Sequence, residues 1–553
     1  MGQIKSKAKV AFKDYNQKQM VLFPENLEDY VPDNHQARIV NHIVDRLNIN
    51  RLMEEYKGGG TSSYHPRMML KVLIYAYLNN ITTSRKIEAA LQENIFFMWL
   101  SGKSFPDFRT INMFRGKRLK NHINEIFSQV VLMLADMGLV SLKDQFTDGT
   151  KIEAAANRYT FVWKGAIEKN KAKLEKKLNG LIEEIEQTIT EEERNSKDLE
   201  EKDFDIEEVE KRLEELNQKL AEKHEDKKSK KLQTKTRKAQ KEDIPRMKRY
   251  NRQMNKFEGR NSYSKTDKDA TFMRLKEDHM RNSQLKPAYN LQYSTENHFI
   301  TNFTLHRRAG DTSTLKPHLQ EFYKHYGTYP NRLIADAGYG SEENYEYLKE
   351  NNIENYVKYN WFHKEQKKKF KNDISRWENY HYNEKGDYFV CPMGQRMYPV
   401  RQGERVSELG YKSQITYYQA QNCEGCPIRG VCHNQKGNRQ IGVNHNLLKY
   451  RREARENLLS EEGVKLRGRR CAEVEQAFGQ LKNNMKFTRF LLRGVEKVTI
   501  EIGLMALAHN LLKLGNKFQG DDLSVNIKAI FSPFSKQNLI RIIFLKIFRL
   551  SFE

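Results

Sequence analysis

Arg332-Leu333-Ile334-Ala335-Asp336-Ala337-Gly338-Tyr339-Gly340 is the stretch on which the fold turns: a short apolar strand delivers an acid at its end and then breaks at glycines. Upstream, residues 288–294 and 299–305 are strand-like runs joined through Thr295-Glu296-Asn297 as a hairpin, and Leu315, Leu319 and Phe322 recur at helical spacing. Downstream, 342–350 reads as helix and 353–359 as strand. Further back, Leu142, Asp144, Phe146, Asp148 and Thr150 share one parity. Gly149 follows the acid, so this window reads as a strand ending near Asp148 or as a hairpin turn at Asp148-Gly149. Three strands followed by helix, strand, helix and strand make an α/β layer with a mixed sheet.

The chain has 553 residues, enough for several domains. Lys and Arg number 96 against 72 Asp and Glu, a formal charge of +24 that favours polyanions, nucleic acid first. Residues 1–6 lack the apolar core of a signal peptide. Nowhere do about 18 apolar residues run uninterrupted, so no membrane span is predicted. Five cysteines are too few to staple this length and point to a reducing compartment. Neither a Ser/His/Asp order nor a phosphate loop is visible, since Gly58-Gly59-Gly60 lacks the following Lys-Ser/Thr.

Residues 30–140 carry helical periodicity. From 165 to 245 the composition turns to Lys and Glu, with one apolar stripe through Leu174, Leu178, Leu181, Ile182 and Ile185 and a second through Ile206, Val209, Leu213 and Leu216. Two narrow stripes separated by polar Glu191-Glu192-Glu193 predict a projecting helical hairpin or coiled coil. The basic run 227–252 after it would follow a DNA backbone or stay disordered. Residues 372–445 are aromatic, hairpin-like and hold four cysteines; 470–515 is helical again, with Val495, Val498, Ile502 and Met505 as its core face.

Three acids stand out. Asp148 and Asp336 belong to the strand patterns, and Glu475 lies on the helix Arg470-Cys471-Ala472-Glu473-Val474-Glu475-Gln476-Ala477-Phe478-Gly479-Gln480-Leu481-Lys482. Glu475 and Lys482, seven apart, share a helical face, while Glu473 points about 200° away from Glu475. Three carboxylates brought together by folding suit hard ions such as Mg²⁺ or Mn²⁺ and metal-assisted cutting of a phosphodiester. Asp267 and Asp269 are rivals for Asp148, read as a capped loop. Cys423-Glu424-Gly425-Cys426 with Cys391 and Cys432 is either a structural Zn²⁺ site or a set of buried free thiols.

The ordered pieces Asp148-Gly149-Thr150-Lys151-Ile152-Glu153-Ala154, Tyr289-Asn290-Leu291-Gln292, Asp336-Ala337-Gly338-Tyr339 and Val474 to Lys482, then Arg489-Phe490 and Arg493-Gly494, resemble bacterial insertion-sequence transposases of the DDE class. The helical block 65–115 resembles the N-terminal domain of that group. The resemblance implies an α/β RNase H-like core, Asp148, Asp336 and Glu475 as the metal-binding triad, and Lys482 as a DNA contact. Arg469, Arg470, Arg489 and Arg493 join it as DNA-binding candidates; a related branch has Tyr and Arg where this chain has Gly468 and Cys471. The implied organisation is a DNA-binding helical domain at 15–135, core at 138–160 and 260–362, the coiled-coil insert 165–245, a β-rich Cys-containing insert at 372–445, core helices at 465–515 and a tail at 520–553. The expected activity is metal-dependent cleavage of double-stranded DNA at terminal inverted repeats and strand transfer into target DNA. The expected setting is a homodimer on paired ends at the bacterial nucleoid, in the cytoplasm. Alternatives are an inactivated transposase kept as a DNA-binding protein, and an RNase H-like nuclease without strand transfer.

Overall fold

The protein is described from a computed structural model covering residues 26–56, 62–190, 205–222, 227–275, 283–434 and 436–518. The glycine run at 58–60, the polar turn at 191–196 and the apolar-basic tail at 520–553 lie outside the described residues. The central sheet is built from β1 (Asp144–Glu153), β4 (Thr271–Arg274), β5 (Leu285–Glu296), β6 (Phe299–His306), β7 (Arg332–Ala335) and β8 (Glu354–Val357); β2 (Phe161–Trp163) and β3 (Ser262–Ser264) form a separate ribbon. The order is β4-β5-β1-β7-β8, with β6 beside β5. β1, β5 and β6 run antiparallel in turn, and β7 and β8 lie parallel to β1.

Local chemistry accounts for this topology. The β5–β6 hairpin turns at Asn297 and His298, both at positive φ (52° and 66°). Parallel strands need a crossover, and helices Leu315–Tyr326 and Glu342–Glu350 supply it before and after β7. β1 does not end at Asp148, as the sequence suggested, but continues to Glu153 with Asp148 opposite Tyr293 of β5. Gly149 is there for clearance: a Cβ on it would stand 2.3 Å from the Gln292 side-chain nitrogen.

Helix Val495–Lys517 is the centre of the molecule. Every residue from Ile500 to Leu511 is buried, on all faces and not only on the one marked by the sequence periodicity. It packs against β6 on one side and helices Gln36–Arg46, Pro66–Leu78 and Ile123–Asp136 on the other. By length and composition it would also suit a membrane, yet 83% of that window is buried inside the fold. Gly503 permits the closest crossing, since a Cβ there would meet Ile123 Cγ1 at 2.4 Å. Asn510 accepts from the Ile300 N–H and donates to the Ile300 carbonyl, both at 2.8 Å, tying the helix to β6. One apolar core thus runs from the N-terminal helices through this helix to β5 and β6.

Two inserts leave the sheet. In the first, Lys164–Thr190 and Ile206–Glu222 are joined by Lys227–Lys238, a π turn and Ile244–Met254, so the basic run is helical. Leu232, Ala239, Ile244 and Met247 bury against Leu178, Ile185 and Leu213, making a helical bundle where a two-helix hairpin was expected. The second insert is an antiparallel sheet of β9 (His381–Asn383), β10 (Tyr388–Val390), β11 (Arg396–Val406), β12 (Lys412–Ala420) and β13 (Gln440–Val443).

Glu501 is an acid inside the apolar core. It accepts from the Leu491 and Leu492 N–H groups at 3.1 Å and faces Arg115 and Tyr77. Burial pushes its carboxyl up to about 7. A raised folded value gives stability that is full below the ordinary carboxylate range and lost as pH rises through 7, about 3 kcal/mol in all. Glu501→Gln should therefore flatten the fall in thermal stability between pH 5 and 8 relative to the parent. Equal slopes in the two proteins would show that Glu501 keeps the same proton in the unfolded chain.

Candidate active site

The β1–β7 register pairs Thr147 with Ala335, so Asp148 on β1 lies beside Asp336, the residue that follows β7. Asp336 starts the short 3₁₀ turn Ala337–Tyr339, which aims Tyr339 back under the sheet. There the buried Tyr339 hydroxyl donates to the Gln292 side-chain oxygen. Gln292 Nε2 in turn donates to Asn290 Oδ1 at 3.0 Å and to Asp311 Oδ1 at 3.2 Å, and Asn290 Nδ2 reaches the same Asp311 oxygen at 2.7 Å. Burial raises the Tyr339 phenol well above its ordinary value, and the carboxylates of Asp311, Asp148 and Asp336 push it further. Three acids are thereby gathered around one buried tyrosine.

Arg470 supplies the opposing charge. Its Nη2 lies 3.0 Å from Asp148 Oδ2, with the guanidinium largely buried. Burial raises the Asp148 carboxyl; Arg470 and the Gly149 N–H, at 2.8 Å, act to lower it, while Asp336 and Asp311 raise it again. Lys358, just past β8, has its ammonium depressed by burial first and Arg470 second, with Asp336 acting the other way.

Helix Glu461–Gly479 brings Arg470 to this place. It follows helix His445–Leu459 after a single residue, Ser460, whose hydroxyl accepts from the Gly463 N–H at 3.0 Å. Gly463 is required at the elbow because a Cβ would stand 2.0 Å from the Asn457 carbonyl oxygen. Val474 and Ala477 then bury against the sheet, and Phe478 stacks on Tyr293 with centroids 5.3 Å apart. Glu475 lies on the exposed flank of this helix, one turn beyond Cys471. Glu473 is buried instead, accepting from the His298 N–H at 2.7 Å and from Arg469 at 3.1 Å. Asp148 and Asp336 are thus neighbours, while Glu475 is exposed to solvent on its helix. Among the described residues, no three His, Cys, Asp or Glu side chains form a group that could hold a metal ion.

The basic candidates have internal partners. Arg469 lies over the Phe146 ring at 5.2 Å and bonds Asn297. Arg489 donates to the Ala154 and Ala156 carbonyls, and Arg493 to that of Ala155 at 2.8 Å. Lys482 sits half-buried in the π turn Gln480–Asn484. Asp267 and Asp269 anchor a distant element: Asp267 accepts from the Tyr289 hydroxyl and the Gly494 N–H, and Asp269 from the Val495 N–H at the start of the central helix.

Among the described residues the four clustered cysteines are not gathered as a group of three or more metal ligands. Cys423 is buried with Phe389, Met397 and Tyr418 and accepts from the Arg439 N–H at 3.3 Å; Arg439 Nη1 lies 3.1 Å from the Cys432 sulfur. Cys391, Cys423, Cys426 and Cys432 are all free thiols.

Asp311 and the pairing of Arg470 with Asp148 were missed in the sequence. The signal open to a reader was Gly310-Asp311, an acid in a loop just after a strand pattern.

Two family models match the chain: Transposase DDE domain over residues 390–515, which contain Glu475 and Lys482, and Transposase domain (DUF772) over 25–117, within the N-terminal helices. No curated protein and no solved structure matches.

Removing Arg470 leaves the Asp148 carboxylate facing Asp336 and Asp311 without its cation. Arg470→Gln should cost about 2 kcal/mol at pH 8, a buried-pair loss reduced for the partial exposure of Asp148. Protonation relieves the repulsion, so the loss should shrink toward pH 4 in chemical denaturation. An equal loss at both pH values would mean that Arg470 acts through packing alone.

Proposed function

This chain belongs to the DDE-class insertion-sequence transposases, and we propose that Asp148, Asp336 and Glu475 are the carboxylates at which it cleaves and joins DNA. The placement of Asp148 beside Asp336 across β1 and β7 carries the reading. The sheet order, antiparallel through β6, β5 and β1 and parallel through β1, β7 and β8, supports an RNase H-like core interrupted by two inserts.

The family implies dependence on a divalent metal, and the oxygen chemistry of the adjacent Asp148 and Asp336 suits one, with Glu475 to be drawn in from the flank of its helix. They are carboxylate oxygens without His or Cys, and the acids are close enough to disfavour one another's charge, with Arg470 set against them. Asp148, Asp336 and Glu475 would hold Mg²⁺ or Mn²⁺. Such ions, when bound, activate a water or 3′-hydroxyl and stabilise the leaving oxygen of a phosphodiester.

The chain's own groups do the rest. Gln292 and Asn290 fix Asp311 behind the reacting acids, and Tyr339 fills the space beneath them. Arg470 offsets the carboxylates' mutual repulsion and holds Asp148 in one orientation. Lys482, in the π turn just past the helix that carries Glu475, would meet a phosphate of the bound strand. The N-terminal helices would grip DNA, and a homodimer would hold the paired element ends at the nucleoid, in the cytoplasm.

Asp148→Asn, Asp336→Asn and Glu475→Gln should each lower strand cleavage by roughly three orders of magnitude, as for one member of a concerted set, with DNA affinity nearly unchanged. Lys482→Ala should weaken binding to all sequences alike and reduce the salt slope by about one. Cleavage assays with duplexes carrying the element ends, beside anisotropy titrations at several salt concentrations, check both. Wild-type cleavage by any of the three acid variants would remove that residue from the site.

A further inference from the structure

At the far end of β1 from Asp144 lies an open cleft of about 460 Å³ that the reading above does not use. Four cations line it, Arg158, Lys286, Arg489 and Arg493, against one acid, Glu153. Glu153 is already engaged, with Lys286 Nζ at 2.9 Å and Arg489 Nε at 3.6 Å. Two exposed guanidiniums are held in place by backbone, Arg489 on the carbonyls of Ala154 and Ala156 and Arg493 on that of Ala155. Those bonds use one or two of the five N–H groups that each guanidinium carries. Arg158 is exposed and rests over the Tyr159 ring, 4.7 Å from its centroid, and Tyr159 is itself 69% exposed.

Pre-positioned guanidinium forks around an open, solvated cleft match the oxygens of a phosphodiester backbone. The position of the cleft sets a register. Glu153 is five residues beyond Asp148 on the same strand, about 17 Å away at the rise of an extended chain. A nucleic-acid strand advances about 3.4 Å per nucleotide, so DNA laid along β1 from Asp148 reaches the cleft after about five nucleotides.

We propose that this cleft is a backbone subsite that grips the element-end DNA about five nucleotides from the cut phosphate, with Arg158, Arg489 and Arg493 as its contacts. The proposal rests on Asp148 marking the cut. The probe is a duplex of the repeat bordering this gene, with one neutral methylphosphonate moved step by step from the cleavage point. Binding is measured with the full-length Asp148→Asn protein, so turnover does not enter. One substitution about five nucleotides from the cut should weaken binding five- to tenfold. Arg158 is exposed and bonds the side chains of Tyr159 and Gln284, so Arg158→Ala should fold normally, lose a similar factor, lower the salt slope by about one, and become insensitive to that methylphosphonate. A scan with no sensitive phosphate in that window, or one equally sensitive in Arg158→Ala, would overturn the subsite. The scan on the Arg158-containing protein decides the matter even if Arg158→Ala misfolds. Failure of the catalytic reading shows separately, as cleavage persisting in Asp148→Asn.

Discussion

Two carboxylates on adjacent parallel strands repel each other, and much of the structure around Asp148 and Asp336 answers that repulsion. Arg470 comes in from a helix to meet Asp148, while Asn290 and Gln292 donate to Asp311 close behind. Gly149 leaves room for Gln292, and Tyr339 closes the network from below. Each contact is modest. Together they keep negative charge concentrated at one end of the sheet, which a stable fold would otherwise avoid and phosphodiester chemistry requires.

The sheet can carry this burden because it is braced from behind. Helix Val495–Lys517 is buried on all sides and ties the N-terminal helices to β6 in one apolar core. Asp267 and Asp269, acids that rivalled Asp148 in the sequence, hold the start of this helix through the N–H groups of Gly494 and Val495. Asp267 and Asp269 are held by the N–H groups that start this helix, with the Tyr289 hydroxyl and the Arg307 guanidinium beside them, whereas Asp148 faces Arg470 and other carboxylates.

The sequence made Asp336 legible because its strand is short, apolar and cut off by glycines, signals that are local. Asp148 was harder, since Gly149 reads as a turn when its neighbours are ignored; the glycine serves the distant Gln292 instead. The basic segment 227–252 concealed a helix because its apolar residues, Leu232, Ala239, Ile244, Met247 and Tyr250, are sparse among lysines and arginines, and only the facing helices of the bundle reveal their common side. Arg470 next to Asp148 and Arg439 among the cysteine sulfurs are tertiary pairings, which no spacing rule contains. Cysteine spacing was clear, but spacing does not say whether sulfurs meet a cation or a core. Helical periodicity put Glu475 and Lys482 on one face, but Lys482 falls in a π turn past the end of that helix.

The central claim is that Asp148 and Asp336 are ligands to the metal that cuts DNA. The most direct test is a switch in metal requirement: Asp336→Cys, assayed for cleavage of element-end DNA in Mg²⁺ and in Mn²⁺. A thiolate is a poor ligand for Mg²⁺ and a better one for the softer Mn²⁺. The expected result is no cleavage in Mg²⁺ and partial recovery in Mn²⁺. Cleavage in Mg²⁺ at the parent rate would contradict it.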